Sequence, residues 1–217
     1  MEAPLSLAHI RINYSLKELT LEAVSADPFK QFETWMQEAL TAKADEPTAM
    51  TLSTATATGR PSARVVLLKA ITPQGFVFYT NYGSRKGQQL LENPFAALTF
   101  FWPALERQVR VEGSVERVSA DVSDAYFHSR PRGSQIGAWS SPQSQPIPDR
   151  TLLENLEQEY SARFKELEVI PRPEHWGGYL VRPARIEFWQ GRQNRLHDRL
   201  LYEVESNGNW HIQRLAP

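Results

Sequence analysis

Three arginines and a histidine crowd the stretch "GRQNRLHDR": Arg192, Arg195, His197 and Arg199, just after the aromatic pair Phe188 and Trp189. Extended backbone would set Arg195, His197 and Arg199 on one face, and Leu196, Asp198 and Leu200 on the other. Two guanidiniums and an imidazole in a row repel one another unless an anion or an electron-rich ring lies against them. The row predicts a clamp over a charged or planar ligand; the plainer alternative is a solvated edge strand whose charges deter pairing. An ordinary imidazole pKa of about 6.5 would let His197 take up a proton there. Trp189 alone reads as packing before it reads as a ligand contact.

Other cations sit beside rings and hydroxyls. In "YTNYGSRKG" a strand ends at Tyr79 and Thr80, and a tight turn delivers Arg85 and Lys86 to the start of a helix. Free N–H groups at a helix start, with two cations, would cradle a phosphate. In "YFHSRPRGS", Tyr126 and Arg130 fall four apart, on one helical face. Ser134 continues that line only if the chain does not bend at Pro131. A hydroxyl, a guanidinium and a second hydroxyl suit a phosphate ester. A solvated basic turn and a surface helix end are the ordinary readings of these two fragments. In "ARVVLLK", Arg64 and Lys69 bracket an apolar strand, and strict alternation sends them to opposite faces. That fragment alone makes no site.

Much chemistry is excluded. The chain has no cysteine, so disulfides, thiolate nucleophiles and Cys-ligated metals are out. Histidines fall at 9, 128, 175, 197 and 211 without metal-ligand spacing, and no metal site is expected. There is no Walker loop, dinucleotide fingerprint or nucleophile elbow. The 24 basic and 25 acidic residues leave a net charge of −1, so no global field points to nucleic acid or a membrane. No apolar run approaches the ~18 residues of a membrane span. The N-terminus lacks a signal-peptide pattern, and the composition suits a reducing cytoplasm.

These residues need positioning. The 217 residues, 41% apolar and 23% charged, suffice for one soluble domain with a real core. Residues 1–20 read as an arm, and 21–217 as a single domain. "DPFKQFETWMQEALTAK" predicts a helix capped by Asp27, with Phe29, Phe32, Trp35, Met36, Ala39 and Leu40 as its apolar stripe. Further helices are expected over "SRKGQQLLEN", capped by Ser84, over "DVSDAYFHSR", ending at Pro131, and over "TLLENLEQEYSARFKELE". Strands are expected over "TAMTLSTAT", "ARVVLLKAI", "FVFYTN", "FAALTFFW", "RQVRVEGSVERV" and "GGYLVRPARIEFWQG". "SSPQSQPIPDR" reads as a loop. The C-terminal "LLYEVESNGNWHIQRLA" predicts a hairpin with a type I′ turn at Asn207-Gly208. Strands without a βαβ rhythm predict a mainly β fold, an antiparallel barrel or sandwich with α-helices packed outside.

Taken together, "RVVLLK", "FYTNYGSRKGQQL", "LERQVRVEG", "YFHSRPRGSQIGAWSSPQS", "WGGY", "IEFWQG", "RLHDR" and the terminal "RLAP" occur in this order over about residues 11–217. This set resembles the pyridoxine 5′-phosphate oxidase family. The resemblance implies an antiparallel split β-barrel, a homodimer with FMN sites at its interface, and cytoplasmic residence. It implies FMN held by Arg64, Val65, Val66, Leu67, Leu68, Lys69, Tyr79, Thr80, Arg85, Lys86, Gln108, Gln143, Ser144, Trp189 and Arg199. Substrate would meet Lys69, Tyr126, Arg130 and Ser134 at its phosphate, and Arg195 and His197, the catalytic pair, over its ring. Arg11 and Tyr14 would form a substrate-side lid; Ile12 and Asn13 between them depart from the family's charged pair. The implied reaction oxidises pyridoxine 5′-phosphate and pyridoxamine 5′-phosphate to pyridoxal 5′-phosphate with O2, releasing H2O2, and NH3 from the amine. The alternatives are a split-barrel reductase fed by a nicotinamide and a non-enzymatic flavin or pyridoxal-phosphate carrier.

Overall fold

A computed structural model describes Leu7 and residues 13–217 of the chain. Nine strands and five α-helices are present among these residues, and every strand pairing described is antiparallel. The fold is thus mainly β with helices, as the strand-rich sequence requires. Two compact units emerge. One holds the described residues up to Pro47, with Phe100–Arg110 and Arg185–Pro217; the other holds Thr48–Thr99 and Val111–Ala184.

The first unit is built on α1 (Pro28–Thr41). Asp27 caps it by accepting from the Phe29 N–H at 2.9 Å, and Pro28 starts the first turn. Phe32, Trp35, Met36 and Ala39 are buried as expected, but Leu40 is 50% exposed. The apolar stripe is therefore narrower than its sequence pattern. Phe32 meets Phe100 edge-on at 4.9 Å, and Trp35 meets Phe188 at 5.2 Å. Each such fully buried ring contributes about 1.5–3 kcal/mol. Two strands form the terminal hairpin, β8 (Asp198–Val204) and β9 (Trp210–Leu215), and β8 also pairs with the end of β7 (Trp176–Gln190). The hairpin turn is not type I′. Only Gly208 has positive φ, at 84°, and Glu205 N–H bonds to Asn209 O. A three-residue loop with glycine at the left-handed position therefore closes it. Asn207 is spent instead on its own turn, where its side-chain oxygen accepts from the Asn209 N–H.

The second unit contains β1 (Ala49–Ala55), β2 (Pro61–Leu67), β3 (Ala70–Thr72), β4 (Gly75–Asn81), most of β5 (Phe95–Trp102) and much of β6 (Arg107–Arg117). β1 lies between β2 and β5, and β4 between β3 and β7. The stretch "ARVVLLKAI", read as one strand, is two. Leu68 N–H bonds to Thr48 O, but the next N–H, that of Lys69, bonds to Val77 O. The chain changes partner between these residues, so strict alternation does not relate Arg64 to Lys69. Helix α2 (Arg85–Glu92) is capped by Ser84, and α3 (Ala120–Ser129) stops before Pro131. A helix absent from the sequence reading follows at once: α4 (Arg132–Ser140), entered through Pro131 at φ −53°. Helix α5 (Arg150–Arg163) ends five residues short of the expected span, where buried Phe164 leaves the helical line and Arg132 donates to the Phe164 and Leu167 carbonyls. Phe127, Ile136, Phe164, Ile170 and Trp176 form the core beneath these helices.

Candidate functional site

The start of α2 carries a buried cation, Lys86, with half-buried Arg64 of β2 beside it. Lys86 Nζ donates to Gln143 Oε1 at 2.9 Å, to Thr80 Oγ1 at 3.1 Å and to Ser84 Oγ at 3.2 Å. Nearby, Arg64 donates to Ser62 Oγ, to Thr54 Oγ1 at 2.6 Å and to the Leu52 carbonyl at 3.2 Å. All the partners are neutral. Among the described residues no carboxylate pairs with Arg64 or Lys86. Burial, then the charge of Arg64, pulls the Lys86 ammonium down to about 8. Burial, then Arg85, lowers Arg64 as well. Gln89 accepts from Thr54, Ser62 and Arg64, but its own buried Nε2 has no acceptor among the described residues. Uncompensated cations and an orphaned donor in a desolvated pocket fit an oxyanion. A flavin mononucleotide phosphate meets that requirement.

Local sequence explains this geometry. Gly87 lies against the Tyr82 carbonyl, which a Cβ there would meet at 2.1 Å. Only glycine lets α2 seat this close to the turn. Gln143 arrives from the loop after α4, and Ser144 beside it has φ 71°. The structure brings Arg64, Thr80, Lys86 and Gln143 together; Arg85 stands at the same helix start but is exposed. Val65, Leu67 and Lys69 are exposed, Leu68 is buried, and Val66 is half-buried opposite Met50. Sequence reasoning missed Thr54, Ser62 and Gln89. The signal for Thr54 and Ser62 is a polar side chain on the inward-facing alternation of β1 and β2; Gln89 is a buried polar residue of α2, one turn on from Arg85 and Lys86.

A second uncompensated cation, Arg130, lies at the end of α3. It is the C-cap with extended backbone, so it does not continue the helical face of Tyr126. Its guanidinium lies 4.6 Å from the Trp176 ring, and its buried Nη1 has no partner among the described residues. Burial lowers Arg130, with Tyr126 acting the other way. Tyr126 stacks on Tyr79 at 3.9 Å, and Trp176 extends the stack at 5.6 Å from Tyr79. Burial raises both phenols. Ser134 sits in the first turn of α4, not on α3, and is exposed. The bend at Pro131 thus breaks the helical line drawn from Tyr126 to Ser134, yet opens a second helix start beside Arg130.

In the first unit, "RLHDR" is not extended. A short turn of 3-10 helix spans Gln193–Arg195, with Asn194 at φ 56° and Arg195 at φ 62°, and β8 begins only at Asp198. Arg195 and His197 therefore share no strand face with Arg199. His197 lies 4.5 Å from Trp189 and 5.9 Å from Tyr14 between ring centroids, and its Nδ1 accepts the Arg192 N–H at 3.0 Å. Burial, then Arg195, lowers its pKa from the ordinary value. Arg199 faces Trp189 across the β7–β8 pair and binds Glu187 through two nitrogens, each at 2.9 Å. That bond raises its pKa. Gln108 is half-buried on β6. Tyr14 is held because the following N–H groups, of Ser15 and Leu16, both donate to Glu106 Oε2. Arg11 lies outside the described residues.

A family model described as pyridoxamine 5′-phosphate oxidase matches residues 36–160, and one described as the pyridoxine 5′-phosphate oxidase C-terminal dimerisation region matches residues 176–217. The chain is 57% identical over 213 residues to the pyridoxine/pyridoxamine 5′-phosphate oxidase of Bordetella petrii, covering 98% of this chain and 100% of that one. It is 56% identical over 211 residues to the enzyme of the same name from Cupriavidus necator, covering 97% and 99%. Among solved structures, PhzG from Burkholderia lata in complex with tetrahydrophenazine-1-carboxylic acid aligns with a TM-score of 0.88 at 29% identity, covering 94% of this chain and 100% of that one. A pyridoxamine 5′-phosphate oxidase-related FMN-binding protein from Nostoc punctiforme aligns with a TM-score of 0.71 at 16% identity, covering 89% and 100%. The fold of this chain is that of these two proteins, an antiparallel split β-barrel.

Proposed function

Because the chain belongs to the pyridoxine/pyridoxamine 5′-phosphate oxidase family, we propose that it oxidises both 5′-phosphates to pyridoxal 5′-phosphate, with FMN as cofactor and O2 as acceptor. The observation that carries this reading is a pair of desolvated cation sites with no counter-charge among the described residues, one at Arg64 and Lys86, the other at Arg130. A flavin phosphate and a substrate phosphate would supply the two missing anions. A nicotinamide-fed flavin reductase has no call for the second site.

Bound FMN would supply the two-electron acceptor for the hydride of the substrate's C4′ carbon and return those electrons to O2 as H2O2. The chain's own residues bind and orient. Arg64, Arg85 and Lys86 hold the flavin phosphate, with Thr80, Gln143 and Ser144 at its edge, and β2 with Lys69 lines the ring. Gln108 and Trp189 keep the flavin role that the resemblance implies; Arg199 does so while tied to Glu187. Tyr126, Arg130, Ser134 and Lys69 take the substrate phosphate, and Arg195 and His197 cover its pyridine. Fixing both rings confers most of the rate advantage, because orientation replaces a bimolecular encounter. Tyr14, docked through Glu106, serves as the lid, together with Arg11.

The working form in this reading is a cytoplasmic homodimer. Residues 176–217 match the dimerisation-region model, and Val65 at 66%, Leu67 at 38% and Phe95 at 61% expose apolar area that a partner would cover. No helix among the described residues is long and apolar enough to cross a membrane. The deciding experiment adds pyridoxine 5′-phosphate to protein purified with FMN and measures peroxide. Stoichiometric peroxide and aldehyde are expected; binding without peroxide would leave a carrier, and a requirement for a nicotinamide would leave a reductase.

A further inference from the structure

We infer that His197 acts as a hydrogen-bond donor locked in its Nε2–H tautomer, and that Arg192 is the positioning residue that locks it. Its catalytic meaning rests on the oxidase reading above; its structural content does not. The Arg192 main-chain N–H donates to His197 Nδ1 at 3.0 Å. A backbone N–H can only donate, so Nδ1 must present its lone pair, and the neutral ring carries its hydrogen on Nε2. The other tautomer, or the doubly protonated ring, would set two hydrogens against each other between Nδ1 and the Arg192 nitrogen. His197 therefore cannot collect a proton at Nε2 while this contact stands. It can donate from Nε2 to an oxygen of the bound ligand, the phenolic or hydroxymethyl oxygen of a substituted pyridine.

The surroundings favour the same state. Arg195 repels a charge on the ring, Tyr14 of the arm meets it edge-on at 5.9 Å, and Trp189 of β7 lies at 4.5 Å. Among the described residues no carboxylate is hydrogen-bonded to the ring. Asp198, next in sequence, is engaged by Arg192, Arg214 and the Leu19 N–H. The Arg192 guanidinium bridges Glu18 of the arm at 2.8 Å and Asp198 at the start of β8 at 3.5 Å. Those two bonds fix the backbone that donates to Nδ1. The left-handed pair Asn194 and Arg195 folds the chain back so that residue 197 can meet residue 192. Two consecutive non-glycine residues with positive φ are costly, and this contact is what they secure.

The test is a long-range proton–nitrogen NMR correlation on histidine-labelled, flavin-loaded protein, with His197 assigned by the signal lost in His197→Gln. Above the ordinary imidazole range, one bare nitrogen at Nδ1 and one protonated nitrogen at Nε2 are expected. An Nδ1–H tautomer or a charged ring overturns the proposal. Arg192→Met should bring the second tautomer to a measurable fraction, and Arg192→Lys should restore the single form. An unchanged tautomer in folded Arg192→Met overturns the positioning role. Should that variant not fold, Glu18→Gln removes the arm's half of the bridge and is read in the same way. In turnover, any acid limb of the kcat profile should persist in His197→Gln; its disappearance would make His197 the titrating base and overturn the donor role. Failure to oxidise pyridoxine 5′-phosphate sinks the oxidase reading but leaves the tautomer measurement standing.

Discussion

Lys86 holds a charge where its surroundings oppose one, and its behaviour with pH follows. Its folded pKa is about 8 against an ordinary 10.5, so between these values the unfolded chain binds more protons than the flavin-free fold. The flavin-free protein should therefore gain stability as pH rises through that window, as urea melts across it would show. A bound phosphate favours the ammonium, so FMN affinity should be level below about pH 8 and fall above it. Lys86→Met should weaken FMN by about 1.5–3 kcal/mol, the range for a hydrogen bond to a charged group, and remove that fall; flavin fluorescence titration measures both. Arg195 is exposed and makes no ion pair among the described residues. Arg195→Ala should keep flavin but lose about 2–4 kcal/mol of transition-state stabilisation in kcat/KM. Arg195→Lys should not restore it, since an ammonium cannot stack flat on a pyridine. Cation identity was legible in the sequence here, and geometry was not. Alternation set Arg195, His197 and Arg199 on one face, but two left-handed residues make that stretch a turn. No propensity rule anticipates positive φ at an arginine.

At the scale of elements, strands and caps were legible wherever local chemistry decides. Asp27 and Ser84 cap as expected because a short side-chain acceptor before a helix has few better uses. Helix α4 was not legible, because "RGSQIGAWS" follows Pro131 and carries two glycines, Gly133 before its buried stripe and Gly137 within it. Its burial on Phe164 and Trp176 is decided by tertiary packing. Gly87→Ala should push α2 off the Tyr82 carbonyl, cost about 1–3 kcal/mol by overpacking, and release flavin before the protein unfolds; a thermal melt followed by flavin emission and by far-UV signal would separate the two events. Arg199→Ala removes one partner of Glu187, which is 8% exposed on its side chain and keeps Arg110 at 3.3 Å. Unpairing a buried charge costs about 3–5 kcal/mol, so with Arg110 retained the loss in chemical denaturation should fall at or below the low end. If Arg199 served flavin alone, stability would not move.

For the whole molecule, the mainly antiparallel class was legible because strand-forming segments follow one another without crossover helices. The division into two compact units was not, since β5, β6 and β7 each contribute residues to both. Sedimentation should give about twice the 24.8 kDa chain mass, and dilution should release flavin together with monomer; a monomer that keeps its flavin would refute an interface site. One packing detail carries an optical consequence. Trp176 is 7% exposed, lies near-parallel to Tyr79 and Tyr126, and has the Arg130 guanidinium 4.6 Å from its ring. A bare cation so close to an indole biases the energy of its excited state. An anion arriving at Arg130 would cancel that bias and shift the emission colour, so the protein reports occupancy of this site by its own fluorescence. Titrating inorganic phosphate while reading the emission maximum, with Trp176→Phe as the blank, would expose that built-in gauge.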